Sequence, residues 1–178
     1  MARTKGGTLN PVKKEIYNSV YEEFKFHRKV YKSTSDEKVK TYHIRQVESS
    51  IGEAGINGYY SKLISVNAFK SKIKKYKGKS VSKAESVSLE HPITYRNIAK
   101  YLLNKNKIPT KKEFFKFWLE NLFIVKTTLE ENIRLKEYQK DFDIMKDNWV
   151  DMYKKAKIKL IDDVDFKSHA VKKEYGIK

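Results

Sequence analysis

The chain has no cysteine, which excludes disulfides and every cysteine-based metal site. It has no apolar run approaching the roughly 20 residues that a membrane-spanning helix needs. No apolar stretch of a secretion signal follows Met1 either, so the expectation is a cytoplasmic protein without a membrane segment. A phosphate-binding Walker loop, a glycine-rich dinucleotide fingerprint and a Ser-His-Asp signature are all missing. There is no internal repeat and no low-complexity linker. Negative charge is scarce: 22 Asp and Glu stand against 39 Lys and Arg, a net charge of +17 with an isoelectric point near 9.7. Such an excess points to a polyanion, first of all nucleic acid. A membrane surface is the weaker rival, because no segment joins a basic face to an uninterrupted apolar one. Arginine is scarce too, with five against 34 lysines. Lysine is a point charge suited to phosphate, whereas arginine is the usual bidentate reader of guanine, so the charge argues for binding rather than base recognition.

What is present is enough for a core. Apolar residues make up 39% of 178 positions and include twelve Tyr, nine Phe and two Trp, which fits one folded domain with appendages. Residues 1–9 read as a flexible basic arm. Asn10 and Pro11 then open a helix whose apolar positions Val12, Ile16, Val20 and Phe24 recur every four residues. Ser35 with Asp36 and Glu37 starts a second helix, and Gly52, Gly55 and Gly58 mark a bend. Residues 59–79 carry an imperfect helical stripe of Tyr60, Leu63, Ile64, Ile73 and Tyr76. The densest basic run follows: Lys70, Lys72, Lys74, Lys75, Lys77 and Lys79, interleaved with Phe69 and Tyr76. As a phosphate-binding element it would supply the salt-sensitive part of affinity, against the bland alternative of a solvated lysine-rich loop. Residues 10–85 thus read as a helical, basic nucleic-acid-binding region.

Ser86 to Tyr138 holds the candidate chemistry. Val87 and Leu89 alternate with Ser86, Ser88 and Glu90, the period of a half-buried strand, which Pro92 stops just after His91. Residues 94–104 read as a short helix, and Thr110 with Glu113 opens another by a capping box. Leu122 to Thr127 is a short apolar run of strand formers. Thr128 with Glu131 then makes a second capping box, and Asn132 follows one turn into that helix. A long amphipathic helix from Phe142 through Trp149 to Ala156 and a basic tail complete the chain as residues 141–178.

Strand ending in Glu90-His91, connection, Asn121, strand, then a helix carrying Asn132 resembles the HNH branch of the ββα-metal (His-Me finger) nucleases. The resemblance covers residues 86–140, about a third of the chain. It implies an α+β, mostly helical fold with a small two-stranded antiparallel ββα-metal motif, an inserted helical pair and flanking helices. It also implies a DNA endonuclease using Mg²⁺ or Mn²⁺, of the kind found in phages and mobile elements. His91 would be the general base, Asn121 would tie the connection to the strand, and Glu90 and Asn132 would supply oxygens to the metal. Arg96, Lys126 and Arg134 would steady the phosphate. RNA remains open as a substrate, and double-strand cleavage would call for a homodimer. Two other classes stay open beside it. One is a non-catalytic nucleic-acid-binding protein in which His91 and Asn132 are ordinary polar residues. The other is an inhibitor that sets its basic face on an acidic host protein.

Overall fold

A computed structural model describes residues 11–53, 59–164 and 173–175. The basic arm and the bend at Gly55 and Gly58 lie outside them. The described elements are, in chain order, α1 (Pro11–Ser33), α2 (Glu37–Glu53), β1 (Tyr59–Ser65), α3 (Val66–Tyr76), β2 (Val87–Glu90), α4 (Tyr95–Asn104), α5 (Lys111–Asn121), β3 (Phe123–Thr128), α6 (Leu129–Gln139), α7 (Trp149–Lys155) and β4 (Leu160–Asp162). The class is α+β and mostly helical, as expected. Among the described residues no helix is long and apolar enough to cross a membrane.

The chain falls into two compact units, Met1–Ile56 with Ile98–Trp118, and Asn57–Asn97 with Leu119–Lys178. The first is helical. Asp36 starts α2 by accepting the N–H groups of Lys38 and Val39 at 2.7 and 3.3 Å. The buried side of α1 is Tyr17, Val20, Phe24 and Tyr31, while Ile16 is left exposed. Phe24 packs on Phe114 and Tyr17 on Trp118, and Phe114 and Trp118 are fully buried. The loop after α4 is tied down through its carbonyls: Tyr21 donates to Pro109 at 2.7 Å and Arg28 to Lys105 at 2.7 Å. The capping box at α5 forms as expected, with the Thr110 N–H donating to Glu113 at 2.8 Å.

The second unit contains a four-stranded sheet in the order β2-β3-β1-β4. The expected antiparallel pair is there: Val87 lies opposite Thr128, Ser88 opposite Thr127, Leu89 opposite Lys126 and Glu90 opposite Val125. It is half of a larger mixed sheet, because β1 runs parallel to β3 and β4 antiparallel to β1. Residues 59–79 are therefore not one helix. The strand formers of β1 pair along β3, and Ser65 stops the strand by accepting the Ala68 N–H at 3.0 Å, which starts α3. The long C-terminal helix is also shorter than its apolar spacing suggests. Asp147 and Asp143 accept the N–H groups of Asp143 and Met145 at 2.7 and 2.9 Å, holding a turn, and only Asn148 releases the chain into α7. Short polar side chains that bond to nearby backbone compete with a helix in this way. The stretch after α7, in which Ile158 and Leu160 alternate with lysines, contributes β4.

Candidate functional site

Alternation along β2 sorts its side chains onto two faces: Val87 and Leu89 are exposed, Ser88 is half-buried and Glu90 is buried. Helix α6 takes up the second face. Its Thr128–Glu131 capping box is complete, and Glu131 reaches further than its own helix. The buried carboxylate accepts from the Thr128 N–H at 3.0 Å, from the Ser65 hydroxyl at 2.5 Å and from the Asn67 amide at 2.9 Å. One side chain thereby joins the starts of α3 and α6.

Further along α6, the Asn132 amide donates to the Ser88 hydroxyl at 3.1 Å. The amide set against Glu90 belongs to Gln139, which donates to the Glu90 carboxylate at 2.6 Å and to the His91 carbonyl at 2.9 Å. Gln139 lies seven residues beyond Asn132, about two turns on the same face, or roughly 10 Å along the axis. Glu90 thus faces Gln139, while Asn132 gives its amide N–H to Ser88 and keeps a buried Oδ1 without a hydrogen-bond partner. Among the described residues no three His, Cys, Asp or Glu side chains gather as a metal-holding group.

His91 is half-buried at the end of β2, its Nε2 3.4 Å from the Tyr95 hydroxyl. Burial lowers its pKa, against a backbone hydrogen bond with Phe123 that raises it, so the ring is neutral at pH 7 and able to accept a proton. Asn121 is the half-buried last residue of α5, two positions before β3, and Arg96 lies half-buried in the first turn of α4. Arg134 is half-buried on α6.

No family model, curated protein or solved structure matches this chain.

Glu90 is a carboxyl held well above its ordinary pKa. Burial pushes its pKa up to about 7, although the Gln139 hydrogen bond and the Lys136 charge act to lower it. The unfolded chain releases this proton near the ordinary value of 4.5, while the folded chain keeps it until about pH 7. Stability is therefore highest below pH 4.5 as far as this group is concerned, and falls as pH rises through that window. The loss amounts to up to about 3 kcal/mol, with no further change above pH 7. Glu90→Gln keeps the oxygen that Gln139 addresses and removes the titration. Urea unfolding from about pH 5 to about pH 8 should then show the variant gaining on the parent as pH rises. Parallel stability profiles for the two proteins would refute the assignment.

The other face of β2 carries the basic groups. The six lysines of the run do not act alike. Lys72 donates to Asp163 at 2.7 Å and to the Val164 carbonyl at 2.8 Å, and Lys126 of β3 donates to the other Asp163 oxygen at 2.5 Å. Lys74 pairs with Glu85 at 2.7 Å. Lys70, Lys75, Lys77 and Lys79 are exposed and form no ion pair among the described residues. Helix α3 ends at Lys77 and Gly78, whose φ of +70° is the left-handed conformation that glycine adopts at little cost. The Gly78 N–H donates to Lys75 at 3.1 Å and the Lys79 N–H to Lys74 at 2.9 Å, a Schellman closure that folds Lys79 back beside the helix. A cleft of about 840 Å³ results, lined by Lys72, Lys75, Tyr76, Lys79, Val81, Val87 and Lys126.

Proposed function

We propose that this protein binds nucleic acid, DNA in the first place, through the lysine-lined cleft between α3 and β2. The observation that carries the reading is the pair Lys75 and Lys79, exposed at the cleft without a carboxylate partner among the described residues, in a chain of net charge +17. Lys72 and Lys126 line the same cleft but share Asp163, so their role is first to hold β4 against α3 and β3. Replacing Lys75, Lys77 and Lys79 together by Ala should weaken binding to all sequences alike. The slope of log affinity against log salt should flatten by about 0.7–0.9 for each phosphate that a lysine no longer neutralises. An unchanged slope would mean that these lysines only face solvent, and the cleft would no longer be the binding surface.

Phosphodiester hydrolysis of the HNH type is the second reading. It is favoured by the antiparallel β2–β3 pair followed directly by α6, with a neutral His91 at the end of the first strand. Asn132 Oδ1, buried and without a hydrogen-bond partner, could offer the metal an oxygen. Glu90 would have to exchange its Gln139 hydrogen bond for the metal, and His91 would be the base. Supercoiled plasmid incubated with the protein and Mg²⁺ or Mn²⁺, with and without EDTA, separates the two. EDTA-sensitive nicking supports hydrolysis, and intact plasmid that is nonetheless retarded leaves binding alone.

A further inference from the structure

The cleft beside α3 is not built as a rail for phosphates alone. Tyr76, the last residue of α3, is 47% exposed, and Val87 in β2 is 41% exposed. Both line the cleft, together with Val81 from the intervening loop. The strand carries Leu89 on the same face as Val87, also exposed. Cations stand around this apolar surface rather than across it. Lys75 precedes Tyr76 directly, and the Schellman closure at Gly78 returns Lys79 to the helix end. On the remaining wall Asp163 holds both ammonium groups of Lys72 and Lys126 and cancels one of their two charges.

A duplex offers such a surface only its phosphates, with the bases stacked inside, and an apolar floor gains nothing from them. A strand with free bases offers both a π-face and a phosphate on either side. The volume, about 840 Å³, is in the range of pockets that enclose small organic groups and far exceeds the needs of one phosphate. We infer that the cleft takes an unstacked base of a single-stranded nucleic acid, with Tyr76 against the base and Lys75 and Lys79 on the flanking phosphates. This inference rests on the nucleic-acid binding proposed above and names the form of nucleic acid that the site prefers. Stacking on an aromatic side chain is tolerant of base identity, which agrees with a surface that has lysine but no arginine among its lining residues.

The test is fluorescence anisotropy of the full chain with a labelled oligothymidylate and a labelled mixed-sequence duplex of equal length, at several salt concentrations. The single strand should bind about tenfold or more tightly than the duplex. Tyr76→Ala should weaken single-strand binding about 5- to 100-fold and leave duplex affinity and both salt slopes unchanged, because stacking releases no counterions. Tyr76→Phe should restore the single-strand affinity, which a loss of folding would not allow. Equal affinity for the two forms, or equal weakening of both by Tyr76→Ala, would overturn the inference while leaving nucleic-acid binding in place. Absence of binding to either form at low salt would overturn both readings together.

Discussion

Glu131→Ala is expected to lower the free energy of unfolding by about 3–4 kcal/mol. The carboxylate accepts three hydrogen bonds: from the backbone of Thr128, the hydroxyl of Ser65 and the amide of Asn67. A hydrogen bond to a charged acceptor is worth about 1.5–3 kcal/mol, and burying a donor whose acceptor has gone costs a further 1–3 kcal/mol or so. Ser65 and Thr128 are buried, so water does not readily replace the missing acceptor. Part of the gross loss is recovered as the side chains relax, since Asn67 is exposed and its amide can turn to water. Glu131→Gln keeps one acceptor oxygen and should cost less than half as much. Denaturant unfolding of the three proteins measures the effect, and a change below about 1 kcal/mol for the alanine variant would show that each helix start holds without the other. The loss should appear together with weaker nucleic-acid binding, because α3 is the element that carries the cleft lysines.

On the hydrolytic reading proposed above, His91→Ala is expected to reduce plasmid nicking by about 10²- to 10⁴-fold while nucleic-acid affinity changes little. A general base must be unprotonated at the working pH, and burial holds His91 in that state at pH 7. Its position at the end of β2, beside the Tyr95 hydroxyl, leaves it half-buried rather than sealed in the core. Single-turnover nicking against pH should rise through the lowered imidazole pKa in the parent protein and lose that step in the variant. Undiminished cutting by His91→Ala would remove His91 from the chemistry.

The parts of the fold that the sequence makes legible are those whose partners lie close along the chain. Both capping boxes join residues three apart, and both are present with their reciprocal hydrogen bonds. The β2 alternation is likewise local, and its antiparallel pairing with β3 follows as read. What escapes is set at long range. Strand β1 is hidden because an apolar stretch of Tyr, Leu and Ile satisfies helical spacing until its parallel partner is known. Gln139 matters only because β2 runs beneath α6, so that a seven-residue spacing puts Asn132 over Ser88 and Gln139 over Glu90. Lys72 reads as a free cation, yet its carboxylate partner Asp163 is 91 positions away. Charge counted along a run therefore overstates what is left for a phosphate.

The division of the chain has a consequence for its synthesis. Each unit is assembled from two separated stretches, and the second stretch of the helical unit, Ile98–Trp118, interrupts the sheet-bearing one. While the ribosome is making α4, helices α1 and α2 wait for the Phe114 and Trp118 that will fill their core. Strands β1 and β2 wait longer, because their common neighbour β3 emerges only after both inserted helices. Until then two half-built cores and two unpaired strand edges are exposed on the nascent chain, the condition in which chaperones are recruited and aggregation begins. A break anywhere from residue 57 to 97 leaves neither fragment with a complete unit, so the two halves are expected to survive only as one polypeptide.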